Sequence, residues 1–176
     1  MPRTLPDYLR PGLDLVFIGI NPGLKSAAAR HHYAGPGNHF WPLLFESGLV
    51  TDPLTYAEDA RVFEWNIGLT NIVDRPSRSA SDLSAAELSA RAKVLRRKLL
   101  RYRPRLVCFN AKRIFEVFAG RPVNFGLQPE RVDETALFVM PSTSARTAAY
   151  QRADKLRYFV ELKGALDGLK APPVTP

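Results

Sequence analysis

The sequence predicts an α/β fold with a central, mostly parallel sheet, and two observations predict it. Short, continuous apolar runs of the kind found in strands buried on both faces alternate with longer segments whose apolar residues recur at helical spacing. Strands that alternate with helices in this way are typical of parallel sheets, because helical crossovers join parallel neighbours. We therefore expect helices to cover both faces of the sheet.

The elements follow in order along the chain. The apolar run Leu15–Ile18 predicts the first strand, after an irregular lead-in over residues 1–12. Helical spacing of apolar residues predicts a helix over 38–47, and a second helix is expected over 56–64. The segment "NIGLTNIV" (66–73) ends in β-prone residues. The later elements are a helix over 84–102, a strand over 105–110, a helix over 111–119, a strand over 136–141 and a helix over 148–169.

The helix over 84–102 has the clearest pattern. Its apolar residues step along one face at intervals of four, three and four, and Ser84 followed by Glu87 is a capping-box signature. The core-facing residues are Leu88, Ala92, Leu95 and Leu99. The other faces carry Arg91, Lys93, Arg96, Arg97, Lys98 and Arg101. Such a run is usual on a solvated face and is also able to touch phosphate.

Length and composition are those of one globular domain over residues 1–176, with a core over about 13–169 and a frayed tail, "APPVTP" (171–176). The single cysteine, Cys108, excludes a disulfide within the chain and suits a reducing compartment. There is no secretory signal pattern and no apolar run of membrane-spanning length. We therefore expect no membrane partner.

The net charge is the strongest compositional clue to a partner. Lys and Arg number 25 against 17 Asp and Glu, which gives +8 at pH 7 and a pI near 9.9. A balance of this kind favours a polyanionic partner. It is also compatible with a charge that only keeps an unrelated enzyme soluble, so charge alone does not name the partner.

The stretch "VFIGINPGLKS" (16–26) ends an apolar run with Asn21, Pro22 and Gly23. These residues form ordinary turns in any fold. They also suit a site at the carboxyl end of a strand, where open α/β sheets bind ligands. A phosphate-binding P-loop is excluded by spacing, because only three residues separate the two glycines and a leucine stands before the lysine.

A second strand ends in a similar polar break. "MPSTSAR" (140–146) begins at the end of the strand predicted over 136–141. In a parallel sheet, it would lie at the same edge as "GINPG" (19–23). Between them in sequence lies "RHHYAGPGNHFW" (30–41), an aromatic loop rich in Gly and Pro. An aromatic ring, an amide and a small-residue loop with a terminal arginine make a plausible pocket for a planar base. The histidines are His31, His32 and His39, and no nucleophile elbow accompanies them.

Five motifs, "GINPG", "HHYAGPGNHFW", "GLTNIVDRP", "FGLQP" and "MPSTSAR", occur in this order between about Leu15 and Leu169. Together they resemble the mismatch-specific uracil/thymine-DNA glycosylases of the uracil-DNA glycosylase superfamily. The amino-acid sequences of these loops resemble those of the thymine-DNA glycosylases more than those of the shorter bacterial mismatch-uracil enzymes. The resemblance implies a three-layer α/β/α sandwich. It also implies a monofunctional enzyme that flips uracil or thymine mispaired with guanine out of duplex DNA and hydrolyses its N-glycosidic bond, leaving an abasic site.

The resemblance assigns roles to three loops. Asn21 would hold the attacking water, since an amide both donates and accepts hydrogen bonds. The backbone N–H groups of Ile20 and Tyr33 would face the oxygens of the base, whose leaving anion needs donors, and the Tyr33 ring would stack on the base. Further expected pocket residues are Gly19, Asn71 and Ser142. The wedge segment, which would fill the vacated space and contact the opposite guanine, consists of Ser144, Ala145 and Arg146.

These residues also have structural alternatives. Asn21 is a common turn residue, and Tyr33 can simply cover a hydrophobic edge. Arg146 can be an ordinary cation at the start of a helix. His31 and His32 are candidates for titration or for shaping the loop.

Asp74 is the remaining catalytic candidate. The family position at Asn21 is an aspartate in the faster uracil glycosylases, and an amide cannot accept the proton of the water. Asp74, in "VDRP", would supply the missing carboxylate; alternatively it pairs with Arg75 or caps the loop. Ala34 stands where a proline is common and Ser77 where vertebrate relatives have threonine, which puts the substrate range in doubt more than the reaction.

We expect no metal and no cofactor, because the sequence offers no ligand cluster and water is the nucleophile. The expected partner is double-stranded DNA with a G·U or G·T mismatch. We expect the protein to bind this DNA as a monomer. We expect it to be cytoplasmic and associated with the nucleoid if its source is a bacterium, and nuclear if its source is a eukaryote. Two rivals remain: a uracil glycosylase of broader range that also acts on single strands, and a DNA-binding relative without catalysis. The amide at position 21 argues against the second rival, which would not need a water-holding group.

Overall fold

The computed structural model describes residues 4–174. Five strands form one sheet in the order β2-β1-β3-β5-β4. They are β1 (Leu15–Gly19), β2 (Ile67–Asn71), β3 (Leu106–Phe109), β4 (Gly126–Val132) and β5 (Thr135–Val139). β1, β2, β3 and β5 run parallel, and β4 lies antiparallel to β5. The mostly parallel sheet is confirmed.

Helices cover both faces of this sheet. They are α1 (Leu24–Ala29), α2 (Phe40–Glu46), α3 (Ala85–Tyr102), α4 (Lys112–Ala119) and α5 (Arg152–Lys170), with 3-10 helices over Tyr56–Trp65 and Ala80–Asp82. On one face, Phe17 of β1 packs in a buried cluster with α2 and α5. On the other face, Ile18 packs in a second cluster with α3 and α4. The three-layer α/β/α sandwich is therefore confirmed. Within residues 4–174, no helix combines the length and the hydropathy that a membrane crossing needs.

Some elements differ from the sequence prediction. α5 begins at Arg152 and not near 148, because Gln151 and Asp154 form the capping box at its start. The helix expected over 56–64 is a 3-10 helix. β4 has no counterpart in the prediction, because it alternates between half-buried and exposed residues and contains Pro129, which strands tolerate mainly at a sheet edge. α1 was also missed, since six residues are too few to show a helical period.

The lead-in pairs with the side of the sheet at Tyr8. Tyr8 forms one antiparallel bridge with Leu69 of β2. The Tyr8 N–H donates to the Leu69 carbonyl (2.9 Å), and the Leu69 N–H donates to the Tyr8 carbonyl (3.1 Å). A β-carbon on Gly68 would collide with the Tyr8 carbonyl, so this close approach needs glycine at position 68.

Candidate active site

Four parallel strands end at one edge of the sheet, which we call the carboxyl edge, and the candidate residues lie there. Gly19 ends β1, Asn71 ends β2, and the half-buried Ser142 follows β5. The segments that leave these strands carry Ile20, Asn21, Tyr33, Asp74, Ser144, Ala145 and Arg146. The topology therefore places the predicted site residues on one side of the molecule, where α/β sheets bind ligands.

The Asn21 amide is oriented by the loop that follows β2. Its Nδ2 donates to the Arg75 carbonyl (3.0 Å) and to Ser77 Oγ (2.8 Å). A carbonyl oxygen only accepts hydrogen bonds, so Nδ2 and not Oδ1 must face Arg75. Within residues 4–174, no group donates a hydrogen bond to Asn21 Oδ1. The side chain therefore presents a fixed acceptor, while its donors are occupied.

Ser77 is itself held in place. Its N–H donates to the Pro22 carbonyl (3.2 Å), and its hydroxyl donates to the Ser79 carbonyl (2.7 Å). The loop after β2 is thus joined to the loop after β1 at Pro22, the residue directly after Asn21. Sequence reasoning noted Ser77 only as a departure from the family and missed its contact with Asn21.

Gly19 leaves room for two polar groups at the end of β1. A β-carbon on Gly19 would overlap Asn71 Oδ1 and lie 3.3 Å from the Tyr33 hydroxyl. Burial raises the pKa of the Tyr33 phenol, which keeps the hydroxyl protonated at neutral pH. Within residues 4–174, the backbone N–H groups of Ile20 and Tyr33 donate to no other residue. Asn71 Oδ1 and the Tyr33 hydroxyl thus form a polar recess at Gly19, and the unpaired N–H of Ile20 follows directly after it in the chain.

Tyr33 is held in an unusual backbone conformation. Its φ is 54°, in the left-handed region that residues other than glycine adopt only when their surroundings hold them there. Its ring stacks on Phe40, with centroids 4.0 Å apart and an interplanar angle of 19°. The ring therefore covers part of the core, while its hydroxyl lies at the recess.

A buried carboxylate anchors the loop that carries Tyr33. Asp59 is 1% exposed, and its Oδ2 accepts from the His32 N–H (2.8 Å). Its Oδ1 accepts from the Tyr8 hydroxyl (3.0 Å) and lies 2.9 Å from His31 Nδ1. Burial, followed by the Asp59 carboxylate, raises the pKa of Tyr8 to about 12, so the phenol remains a donor. Asp59 carries no distinguishing signal in the sequence, because its partners lie at least 27 residues away.

The two adjacent histidines have different environments. His32 is buried, its Nε2 lies 2.8 Å from the Pro6 carbonyl, and Trp41 Nε1 donates to the His32 carbonyl (3.1 Å). Burial lowers the pKa of His32, so the ring is neutral at pH 7 and shapes the loop. The His31 side chain is 33% exposed and bonded to Asp59. Within residues 4–174, no three His, Cys, Asp or Glu side chains lie together as metal ligands would.

The loop that leads into the wedge segment is bound to the end of β3. The Asn110 side chain donates to Thr143 Oγ1 (3.0 Å) and accepts from the Thr143 N–H (3.1 Å). Ser142 Oγ accepts from the Ser144 N–H (3.2 Å). Sequence reasoning missed Asn110, although its position directly after an apolar strand repeats the pattern that singled out Asn21.

Cations surround the carboxyl edge. The Arg146 guanidinium donates to the Arg78 carbonyl (2.6 Å), which joins the loops after β5 and β2. The exposed cations of this edge are Lys25, Arg30, Arg75, Arg78, Lys112, Arg113 and Arg146. Within residues 4–174, only Arg75 among them lies within ion-pair distance of a carboxylate, that of Glu87 (2.7 Å). This excess of unpaired positive charge attracts a polyanion.

Asp74 lies on the loop after β2 and pairs with Arg91 of α3. Arg91 Nε also donates to the Ile72 carbonyl (3.2 Å), so the contact ties this loop to α3. The alternative of a pair with Arg75 is wrong, because Arg75 binds Glu87 instead. The ion pair favours a role in loop structure, and the catalytic role of Asp74 stays a prediction.

Comparisons with known proteins agree with this architecture. The family model of the uracil DNA glycosylase superfamily matches residues 6–166. A solution NMR structure from Methanosarcina acetivorans, described as a "putative Uracil DNA glycosylase", matches with a TM-score of 0.58 and 17% sequence identity. The match covers 97% of this chain and 99% of that chain. At this identity the structural likeness shows a shared fold.

Proposed function

This chain belongs to the uracil DNA glycosylase superfamily, and from that premise we propose that it removes uracil mispaired with guanine from duplex DNA, with thymine opposite guanine as a second substrate. Superfamily membership implies a DNA glycosylase, which hydrolyses the bond between a base and deoxyribose. The mismatch preference rests on the five motifs. We also propose that one domain acts as a monomer, without metal or cofactor.

The observation that carries the proposal is the Asn21 amide, with its donors bound to the β2 loop and its oxygen free. In the proposed reaction the flipped nucleotide enters the recess at Gly19. A water donates a hydrogen bond to Asn21 Oδ1 and lies next to C1′ of the deoxyribose. The bond between C1′ and the base nitrogen breaks, its electron pair passes to the base, and the water oxygen bonds to C1′. Since an amide does not accept the proton, the water loses it to solvent.

The departing base needs donors for its developing negative charge. The N–H groups of Ile20, which directly follows Gly19, and of Tyr33 support this role, because neither donates to another described residue. Asn71 and Ser142 complete the proposed pocket, and the base stacks on the Tyr33 ring. The cations of the carboxyl edge would bind the phosphates on either side of the flipped nucleotide.

Base release under single-turnover conditions tests the proposal. The substrates are oligonucleotides with G·U, G·T or A·U pairs and single-stranded DNA containing uracil. We expect release from G·U to be fastest. Equal rates from G·U and single strands would support the broader-range enzyme instead. Tight duplex binding without release from any substrate would support the non-catalytic relative.

Asp74→Asn is expected to leave the pH dependence of uracil release unchanged, because the carboxylate is bound by Arg91. The free energy of unfolding should fall by about 1 kcal/mol or less, which is typical of partly exposed ion pairs. A pH–rate profile and thermal unfolding measure the two effects. A slower reaction whose acid limb is flattened would instead identify Asp74 as the catalytic base.

Arg146→Ala is expected to slow uracil release from a G·U duplex by about tenfold or more, equal to about 1.4 kcal/mol. In a duplex, the flipped base leaves a hole and an unpaired guanine, which a side chain can fill and bind. Single strands have no such hole, so their cleavage should fall clearly less. Arg101→Ala is the matched control, because it removes the same charge near the carboxyl end of α3, at the opposite edge of the sheet. Equal losses on both substrates would make Arg146 a general phosphate contact.

A further inference from the structure

Lys155 occupies a position on α5 where the sequence pattern calls for an apolar residue. The buried residues of this helix are Lys155, Phe159, Leu162 and Leu166. They step by four, three and four along one face, which packs against the sheet. Lys155 is only 1% exposed, so this lysine does not extend its ammonium to solvent as lysines at such positions usually do.

The buried ammonium has no carboxylate partner within residues 4–174. Its Nζ donates to the Ser144 carbonyl (3.1 Å) and lies 3.3 Å from His39 Nδ1. Burial lowers the pKa of Lys155, which is the direction expected where the charged form is disfavoured. A buried charge without an opposite charge destabilises a fold, and an apolar side chain of similar volume is often neutral or stabilising there. Stability alone therefore does not explain a lysine at this position.

The two partners of Lys155 belong to the two loops of the candidate site. Ser144 begins the wedge segment, and its carbonyl also accepts from the Thr147 N–H (3.1 Å). His39 ends the aromatic loop, and its backbone N–H donates to the Thr143 carbonyl (3.0 Å). Lys155 thus connects the first turn of α5 to both loops at once.

We propose that Lys155 is a positioning residue, which fixes the wedge segment against the aromatic loop before DNA binds. Its role in DNA processing rests on the proposed function. The ammonium holds the Ser144 carbonyl inward, so that the backbone turn after it presents Ala145 and Arg146 outward. A wedge segment that is already ordered loses less conformational freedom when it enters the duplex.

The test compares Lys155→Met with Lys163→Met, which removes a charge from the same helix at a partly exposed lysine paired with Asp167 (2.6 Å). In Lys155→Met, hydrogen exchange at the amides of residues 146 and 147 should accelerate by about tenfold as the turn loosens. Release of uracil from a G·U duplex should slow by about fivefold or more, with a smaller effect on single strands. The Tm should stay unchanged or rise. Lys155→Gln keeps an N–H donor and should recover part of the exchange protection, while Lys163→Met should match the parent protein.

A slower reaction without a fall in Tm is the signature of positioning. A Lys155→Met protein that fails to fold, or whose Tm and activity fall together, would overturn the proposal, because Lys155 would then be structural. Unchanged exchange at residues 146 and 147 would overturn it as well. If the parent protein releases no base from any substrate, the proposed function fails, whereas the exchange and Tm measurements still decide whether Lys155 orders the segment.

Discussion

Asn21→Ala is expected to slow uracil release from a G·U duplex by about a hundredfold or more, the usual effect of removing one preorganised polar group from a reaction centre. The substitution deletes the free Oδ1 that would hold the water. It also deletes the hydrogen bonds to the Arg75 carbonyl and Ser77 Oγ. Because the Arg75 contact lies at the exposed surface, water can replace that lost donor, and the fold and DNA affinity should be retained. Single-turnover kinetics and a duplex-binding assay separate the two effects.

Asn124→Ala is a matched control for this experiment. Asn124 is an exposed asparagine just before β4. β4 is the outermost strand on one side of the sheet and the strand farthest from β1 in strand order. The same substitution there should change neither the rate nor the affinity. If Asn21→Ala released uracil at nearly the parental rate, the amide would have no part in the chemistry, and the central observation behind the proposed function would be lost.

Asp59→Ala is expected to lower the free energy of unfolding by about 3 kcal/mol. It leaves the buried His32 N–H and the part-buried Tyr8 hydroxyl without their acceptor, and an unpaired buried donor costs about 1–3 kcal/mol. For a domain of this size, the loss corresponds to a fall in Tm of about 6–12 °C. Thermal and urea unfolding measure it. At temperatures well below the unfolding transition, uracil release should also be slower than in the parent protein, because Asp59 anchors the loop that carries Tyr33.

Asp52→Ala provides the comparison for Asp59. The Asp52 carboxylate is half-exposed and pairs with Arg61 (2.8 Å), a contact of the kind that contributes about 1 kcal/mol or less. Equal, small losses for both variants would mean that water reaches the Asp59 partners. The anchoring role of that carboxylate would then be wrong.

Local patterns in the sequence predict the elements that are buried on both faces or that have one clear apolar face. β1, β3 and β5 are continuous apolar runs, and the stripe of α3 is regular, so their assignment needs no long-range information. β4 escapes prediction because an edge strand with one solvated face and a proline resembles a loop. The lead-in shows the same limit, since its single bridge to β2 depends on a contact with Leu69.

The same distinction between local patterns and long-range contacts applies to the candidate site. The resemblance identifies Asn21, Tyr33 and Arg146 from short motifs. It says nothing of the groups that fix them, because those groups are distant in the chain. Asp59 reaches the aromatic loop across 27 residues, and the Arg75 carbonyl reaches Asn21 across 54. The candidate residues of the site can therefore be predicted from the sequence, whereas the contacts that orient them cannot.

The hydrogen bonds of Asn21 also limit how this position can evolve. An aspartate there would turn a carboxylate oxygen toward the Arg75 carbonyl, where two acceptors would face each other with no hydrogen between them. A carboxylate at position 21 would avoid this repulsion only after either the Arg75 peptide or the side chain itself had rotated away. The neighbours of this amide therefore disfavour an aspartate at position 21, whatever the chemistry of the reaction.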